Sequence, residues 1–142
     1  YLETEEGLAT WLERKHGLLD DRTFRRYALR FVAAHRAPTA TWTELADELC
    51  AITSPGEAFD IAARVKRGLR DPREHGGWVK DHVYWTGHQR VDRHLEKEPT
   101  VLPLLLSGKF ALSQLDAVKW AVHVGYVEVM PIVEVDDLLR AS

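Results

Sequence analysis

An all-α lobe is the fold class these 142 residues predict, and three observations predict it. Apolar residues recur at every third or fourth position along almost the whole chain, the period of a helix with one buried face. Starts and stops are marked: Thr41 has Glu44 three residues on, Ser54 precedes Pro55, and Gly17, Gly68, Gly108 and Gly125 stand where periodic runs end. A hydrophobic content of 45% with five tryptophans can bury one substantial core, so one domain, or one lobe of a larger domain, is expected.

The first helix is expected from about Thr4 to His16, with Leu8, Trp11, Leu12 and Lys15 on one stripe and Gly17 as its stop. The second begins near Asp21, capped by Asp20 or Asp21, and turns Phe24, Tyr27, Ala28, Phe31 and His35 inward until Pro38 ends it. "TWTELADELCAI" carries a capping box and buries Trp42, Leu45, Leu49 and Ile52. "SPGEAFDIAARVKRGL" buries Ala58, Ile61, Ala62, Val65 and Leu69. Residues 70–79, "RDPREHGGWV", form a polar loop inside the lobe. Beyond it Val79, Val83, Gly87, Val91 and Leu95 follow one another at i+4, a ridge whose central glycine permits close approach of another backbone. Pro99 and Pro103 frame a short apolar helix, "TVLPLLLSG". "LSQLDAVKWAVHVGY" makes the last helix, with Ser113 as cap, and "VEVMPIVEVDDLL" is expected to run extended along the surface. The count is about six to seven helices.

Charge narrows the function. Lysine plus arginine number 19 against 22 acids, mixed along the chain, so no broad field draws nucleic acid or anionic lipid, and neither is expected as a partner. No apolar run approaches the roughly 20 residues that span a bilayer, and no signal peptide opens the chain, which points to the cytoplasm. The single cysteine, Cys50, excludes an internal disulfide and reads as a small buried hydrophobe beside Leu45, Leu49 and Ile52.

Four strings carry more than helicity: "EEGLA" at 5–9, "RVKRGL" at 64–69, "GGWVKDHVYW" at 76–85 and "LLLSGKFAL" at 104–112. Each has an ordinary reading. Glu5 and Glu6 lie in a first helical turn, where carboxylates are favoured without any function. Arg64 has Asp60 one turn before it, Lys66 and Arg67 complement a helix C-terminus, and His88 with Asp92 reads as a solvated face. Gly108-Lys109 lacks the GxxxxGK[ST] pattern that cradles phosphate.

In this order and at these separations the four strings resemble a metallopeptidase-like family named in bacteria for its "QEGLA" motif, whose eukaryotic relatives are tubulin tyrosine carboxypeptidases. The family patterns are similar to "QEGLA", "RVxRG", "GGxTKDxVYLxG" and "LLxGKxAL", and the resemblance covers the whole chain. Glu5 departs from the family Gln, Trp78 and Val79 from its aromatic-Thr pair, and Trp85 from its Leu. The resemblance implies a zinc hydrolase in which an HExxxH helix gives two histidine ligands and a general base, and the Glu of the motif, here Glu6, gives the third ligand. It implies a peptide or protein C-terminus as substrate; for that task Arg64 and Arg67, three apart on one helix face, and Lys80 are expected as substrate-binding cations, and Tyr84, on an i, i+4, i+8 stripe with Lys80 and His88, as the catalytic oxyanion donor. No HExxxH occurs in these 142 residues. The chain is therefore expected to be the C-terminal part of such an enzyme, partnered by an N-terminal half that carries HExxxH, with zinc held by the complete parent and no hydrolysis by this part alone. A non-catalytic all-α interaction or regulatory module is the second expectation.

Overall fold

The computed structural model describes residues 1–129; the predicted extended tail falls mostly outside them. Among the described residues the chain is helical throughout: α1 (Leu2–Lys15), α2 (Asp21–Arg36), α3 (Trp42–Cys50), α4 (Pro55–Lys66), α5 (Asp81–Lys97), α6 (Leu102–Ser107) and α7 (Leu115–His123), with 3₁₀ turns at Pro99–Val101 and Leu112–Gln114. They divide into two compact units, Leu12–Thr86 and Tyr1–Trp11 with the chain from Gly87 onward, so that α1 and α5 each contribute to both. No single helix among the described residues is long and apolar enough to cross a membrane; Pro99–Ser107 and Leu112–His123 reach that composition only together, and are bent by 101°.

In the Leu12–Thr86 unit, α2, α3 and α4 share a core of Leu29, Ala33, Ala37, Ala40, Leu45, Ala46, Leu49, Ala58, Ile61, Ala62 and Val65, with Trp42 against its edge. The many alanines let helix axes come close, and the larger aliphatics Leu29, Leu45, Leu49, Ile61 and Val65 fill what remains. Each helix is started as its sequence dictates. Asp20 accepts from the Thr23 N–H at 2.7 Å, Thr41 and Glu44 cap each other's backbone, and Ser54 caps α4 ahead of Pro55.

The loop after α4 is anchored by Lys66, a residue read from sequence as a helix-end charge. It is only 4% exposed. Its Nζ donates to the carbonyls of Ala37 (3.1 Å), Glu74 (3.1 Å), Gly76 (2.8 Å) and Ala40. The Trp78 N–H donates to Val65 O at 2.6 Å, and this approach leaves no room at Gly77: with φ +152°, a Cβ there would lie 2.4 Å from Val65 O.

In the other unit the first turns of α1 lie directly on α5. A Cβ on Gly7 would sit 2.1 Å from the Gly87 carbonyl carbon, and one on Gly87 2.1 Å from Glu3 O. The contact is backbone on backbone, the close approach that the i+4 ridge predicts at Gly87. Around it Trp11 Nε1 donates to Asp92 at 2.9 Å, Arg90 pairs with Glu3 at 2.6 Å, and the Leu112 N–H donates to Thr4 Oγ1 at 3.1 Å. Val91, Leu95, Val101, Leu105 and Leu115 are the buried apolar residues that follow.

Several local expectations change. Cys50 is exposed, because the inward stripe of α3 is Leu45, Ala46 and Leu49, and the next residue points about 100° away. Ile52 lies past the end of α3 and is half exposed. Val79 precedes α5 and is exposed, so the buried ridge is shorter than predicted. Ser113 falls inside the 3₁₀ turn rather than capping α7; Gln114 Oε1 accepts from the Ala111 N–H instead. His88 is 5% exposed and Asp92 is tied to Trp11, so this pair is no solvated face.

The glycine crossing gives a paired test. Gly87→Ala is expected to cost about 3 kcal/mol, at the upper end of overpacking penalties, whereas Gly56→Ala, in the first turn of α4 with open space at its Cβ, is expected to stabilise by about 0.5 kcal/mol. Urea unfolding of both variants measures the contrast; equal effects would mean that α1 and α5 do not touch at Gly87.

Candidate functional site

The predicted site residues fall in both units: Arg64, Arg67, Lys80 and Tyr84 in Leu12–Thr86, and Glu6 in the unit that holds the α1 N-terminus. Arg64 projects from the last full turn of α4 and meets the first residue of α5. Its Nε and Nη2 donate to the two carboxylate oxygens of Asp81 at 2.7 and 2.9 Å. Asp81 is 2% exposed, so this fork is the carboxylate's compensation for burial. Hydrogen bonding to Asp81 raises the Arg64 pKa above its ordinary value, against the opposing effect of burial. Asp60, the expected i+4 partner, lies instead 3.6 Å from Arg26.

Arg67 does not share a helix face with Arg64. Helix α4 ends at Lys66, Arg67 takes extended backbone angles (φ −58°, ψ 139°), and its guanidinium lies 4.5 Å over the ring of exposed Trp78. Lys80 is exposed and immediately precedes α5. Tyr84, one turn into α5, stacks on Tyr27 of α2 with centroids 5.8 Å apart. Burial, followed by the Glu13 carboxylate, raises the Tyr27 phenol pKa, so it stays a neutral O–H donor at neutral pH. On the next part of the same helix pair, His82 meets Phe31 edge-on at 4.6 Å, and burial, helped by His35, lowers its pKa and favours neutral imidazole.

Three contributors to this cluster are absent from the sequence expectations as site residues: Asp81, Tyr27 and Arg30, the last with its guanidinium 5.9 Å from the Tyr27 ring centre. The signal for two of them lies in "RRYALR", where Arg26 and Arg30 are one turn apart and bracket Tyr27.

Glu6 is half buried, and its backbone carbonyl accepts from Thr10 Oγ1 at 2.9 Å. Its neighbour Glu5 pairs with Lys109 at 2.6 Å, joining the first and fourth sequence motifs. The pairing gives the acid at this position an opposite charge. Hydrogen bonding to Glu5 raises the Lys109 pKa. The pair stands beside a cavity of about 310 Å³ whose apolar wall is Leu8, Leu105, Leu106 and Phe110.

A catalytic zinc needs three protein ligands. Among the described residues no group of three His, Cys, Asp or Glu is placed to hold a metal ion. Glu6 is one carboxylate, and these residues by themselves do not make the centre.

Among the described residues these clusters sit on an all-helical fold, the architecture expected of the family that the four motifs resemble. The chain belongs to the family described as microtubule-associated tyrosine carboxypeptidase, whose profile matches residues 1–133, and the resemblance drawn from the four motifs is borne out. Human microtubule-associated tyrosine carboxypeptidase 1 is 33% identical over 118 residues, covering 80% of this chain and 24% of the human protein. This chain thus spans about a quarter of the length of that relative. No solved structure matches it.

The Arg64–Asp81 fork predicts an asymmetry. Arg64→Met strands a fully buried carboxylate and is expected to cost about 4 kcal/mol, while Asp81→Asn leaves a guanidinium that is one-third exposed and is expected to cost about 2 kcal/mol. Denaturant midpoints of the two variants decide it; a larger loss for Asp81→Asn would contradict the assignment of the carboxylate as the desolvated partner.

Proposed function

We propose that this chain supplies part of the active centre of a zinc-dependent metallocarboxypeptidase-like hydrolase that acts on protein C-termini. The observation that carries the proposal is the family match across residues 1–133, a span that contains Glu6. The human relative's name, a tyrosine carboxypeptidase, supports a protein C-terminus as the substrate. In this reading Glu6 is the carboxylate ligand of a zinc centre whose two histidines come from an HExxxH segment outside these 142 residues. The crossing at Gly7 supports that role, since the residue next to Glu6 is fixed by main-chain contact.

Hydrolysis of a peptide bond places negative charge on the carbonyl oxygen as it becomes tetrahedral, and an O–H donor held by packing stabilises that charge. Tyr84, braced by its stack on Tyr27, is the donor. Lys80 and Arg67, both exposed, are the cations that meet the acidic groups of the substrate. Arg64 serves one step behind them by fixing Asp81.

Two measurements on the intact, metal-loaded protein test the reading. Glu6→Ala is expected to lower zinc content by elemental analysis from about one to well under half an equivalent, with Glu5→Ala unchanged; full zinc in the Glu6 variant refutes the ligand role. Tyr84→Phe is expected to reduce kcat for release of a C-terminal residue about 100-fold with little change in KM. A change confined to KM would remove Tyr84 from the chemical step.

A further inference from the structure

Arg30 lies on α2, one turn from Arg26 and three residues past Tyr27. Its Nε is shielded from solvent and has no hydrogen-bond acceptor among the described residues. Its neighbours have acidic partners: Arg64 takes both oxygens of Asp81, and Arg26, whose Nε is likewise shielded without a hydrogen-bond acceptor among the described residues, lies 3.6 Å from Asp60 and 3.9 Å from Glu57. Burial and the positive charges of Arg64 and Arg26 all weigh against the charged form of Arg30, with Asp81 the acid that counters them. Guanidinium does not deprotonate in proteins, so the group stays charged and under-compensated. Folded proteins rarely leave a shielded charged donor unused, and the stacked rings of Tyr27 and Tyr84 stand beside this one.

We propose that Arg30 is the specificity-determining residue that recognises a carboxylate of the bound ligand, with the phenols of Tyr27 and Tyr84 flanking the same position. A carboxylate suits the site for two reasons. Its single charge suits one guanidinium, whereas a dianionic phosphate would overshoot beside Asp81 and Glu13, and its planar pair of oxygens matches the guanidinium fork. The proposal deepens the hydrolase reading, in which the carboxylate is the substrate's own terminus. It also assigns to Arg30 the grip that the sequence motif gave to Arg64, whose fork is already filled.

The carboxylate has two sources, the terminus of a peptide or an acidic side chain within it. Binding of three probes to the intact protein separates them by calorimetry: N-acetyl-Gly-Gly-Tyr, its C-terminal carboxamide, and N-acetyl-Glu-Gly-Tyr carboxamide. Wild type is expected to bind the free acid at least tenfold more tightly than its carboxamide, and Arg30→Gln to abolish that preference, with Arg30→Lys retaining part of it. If the Glu-containing carboxamide shows the Arg30-dependent gain instead, the side chain is the source and carboxylate recognition by Arg30 stands. A preference that persists in Arg30→Gln, or no preference in wild type for either carboxylate, overturns the proposal. Thermal melting gives the second readout: removing an uncompensated cation is expected to leave the melting temperature unchanged or raise it. A marked fall, with all three probes weakened alike, would make Arg30 a structural residue. Binding that depends on Arg30 in a protein that hydrolyses nothing would sink the hydrolase reading and leave this one intact.

Discussion

The burial of one ammonium group organises the Leu12–Thr86 unit. An isolated lysine charge taken out of water is costly, and Lys66 is tolerated only because four backbone carbonyls converge on its Nζ. Those carbonyls come from the end of α2, the approach to α3 and the loop after α4, so satisfying the lysine closes three segments at once. With Glu74 and Gly76 held, the Trp78 N–H reaches Val65 O and the chain is delivered to the start of α5. There Asp81 meets Arg64. A compact point charge on a flexible stem can serve several acceptors in this way; the flat fork of arginine would not.

Arrangement of charge around that point trades stability for a receptive site. One buried acid serves Arg64, while Arg30 is shielded beside it with its Nε unmatched. Selection for stability alone would remove the excess cation or add an acid, and natural proteins keep such local faults where a ligand completes the balance. The aromatic content acts in the same direction. Tyr27 on Tyr84 and Phe24 against Trp85, at 5.1 Å, hold α2 and α5 together with rigid rings that lose little entropy on binding.

Much of the fold was legible because helices announce themselves locally. The Thr41–Glu44 box, Ser54 before Pro55 and the three-and-four spacing of α3 and α4 each depend on residues within one or two turns, and each stands where expected. Gly87 was also legible, since a glycine in an apolar i+4 ridge has few reasons to be there except close approach. Charge partners were not. The expectation for Arg64 looked one turn back to Asp60, but the acid it uses is 17 residues on, across a loop. Lys66 was opaque for a related reason: its acceptors are backbone carbonyls, which every residue has and no sequence pattern marks. Cys50 and His88 failed because one step around a helix exchanges inside for outside, and composition does not fix which step is taken.

The meeting of Gly7 and Gly87 has a consequence for how this lobe can change. Main-chain atoms have no rotamers, so this junction cannot be retuned by swapping one apolar side chain for another, as most of a core can. Neighbouring positions are free to drift while the Cα of Glu6 keeps its place, and a designer wishing to transplant that carboxylate into another helical scaffold would need to copy two bare backbones before any side chain.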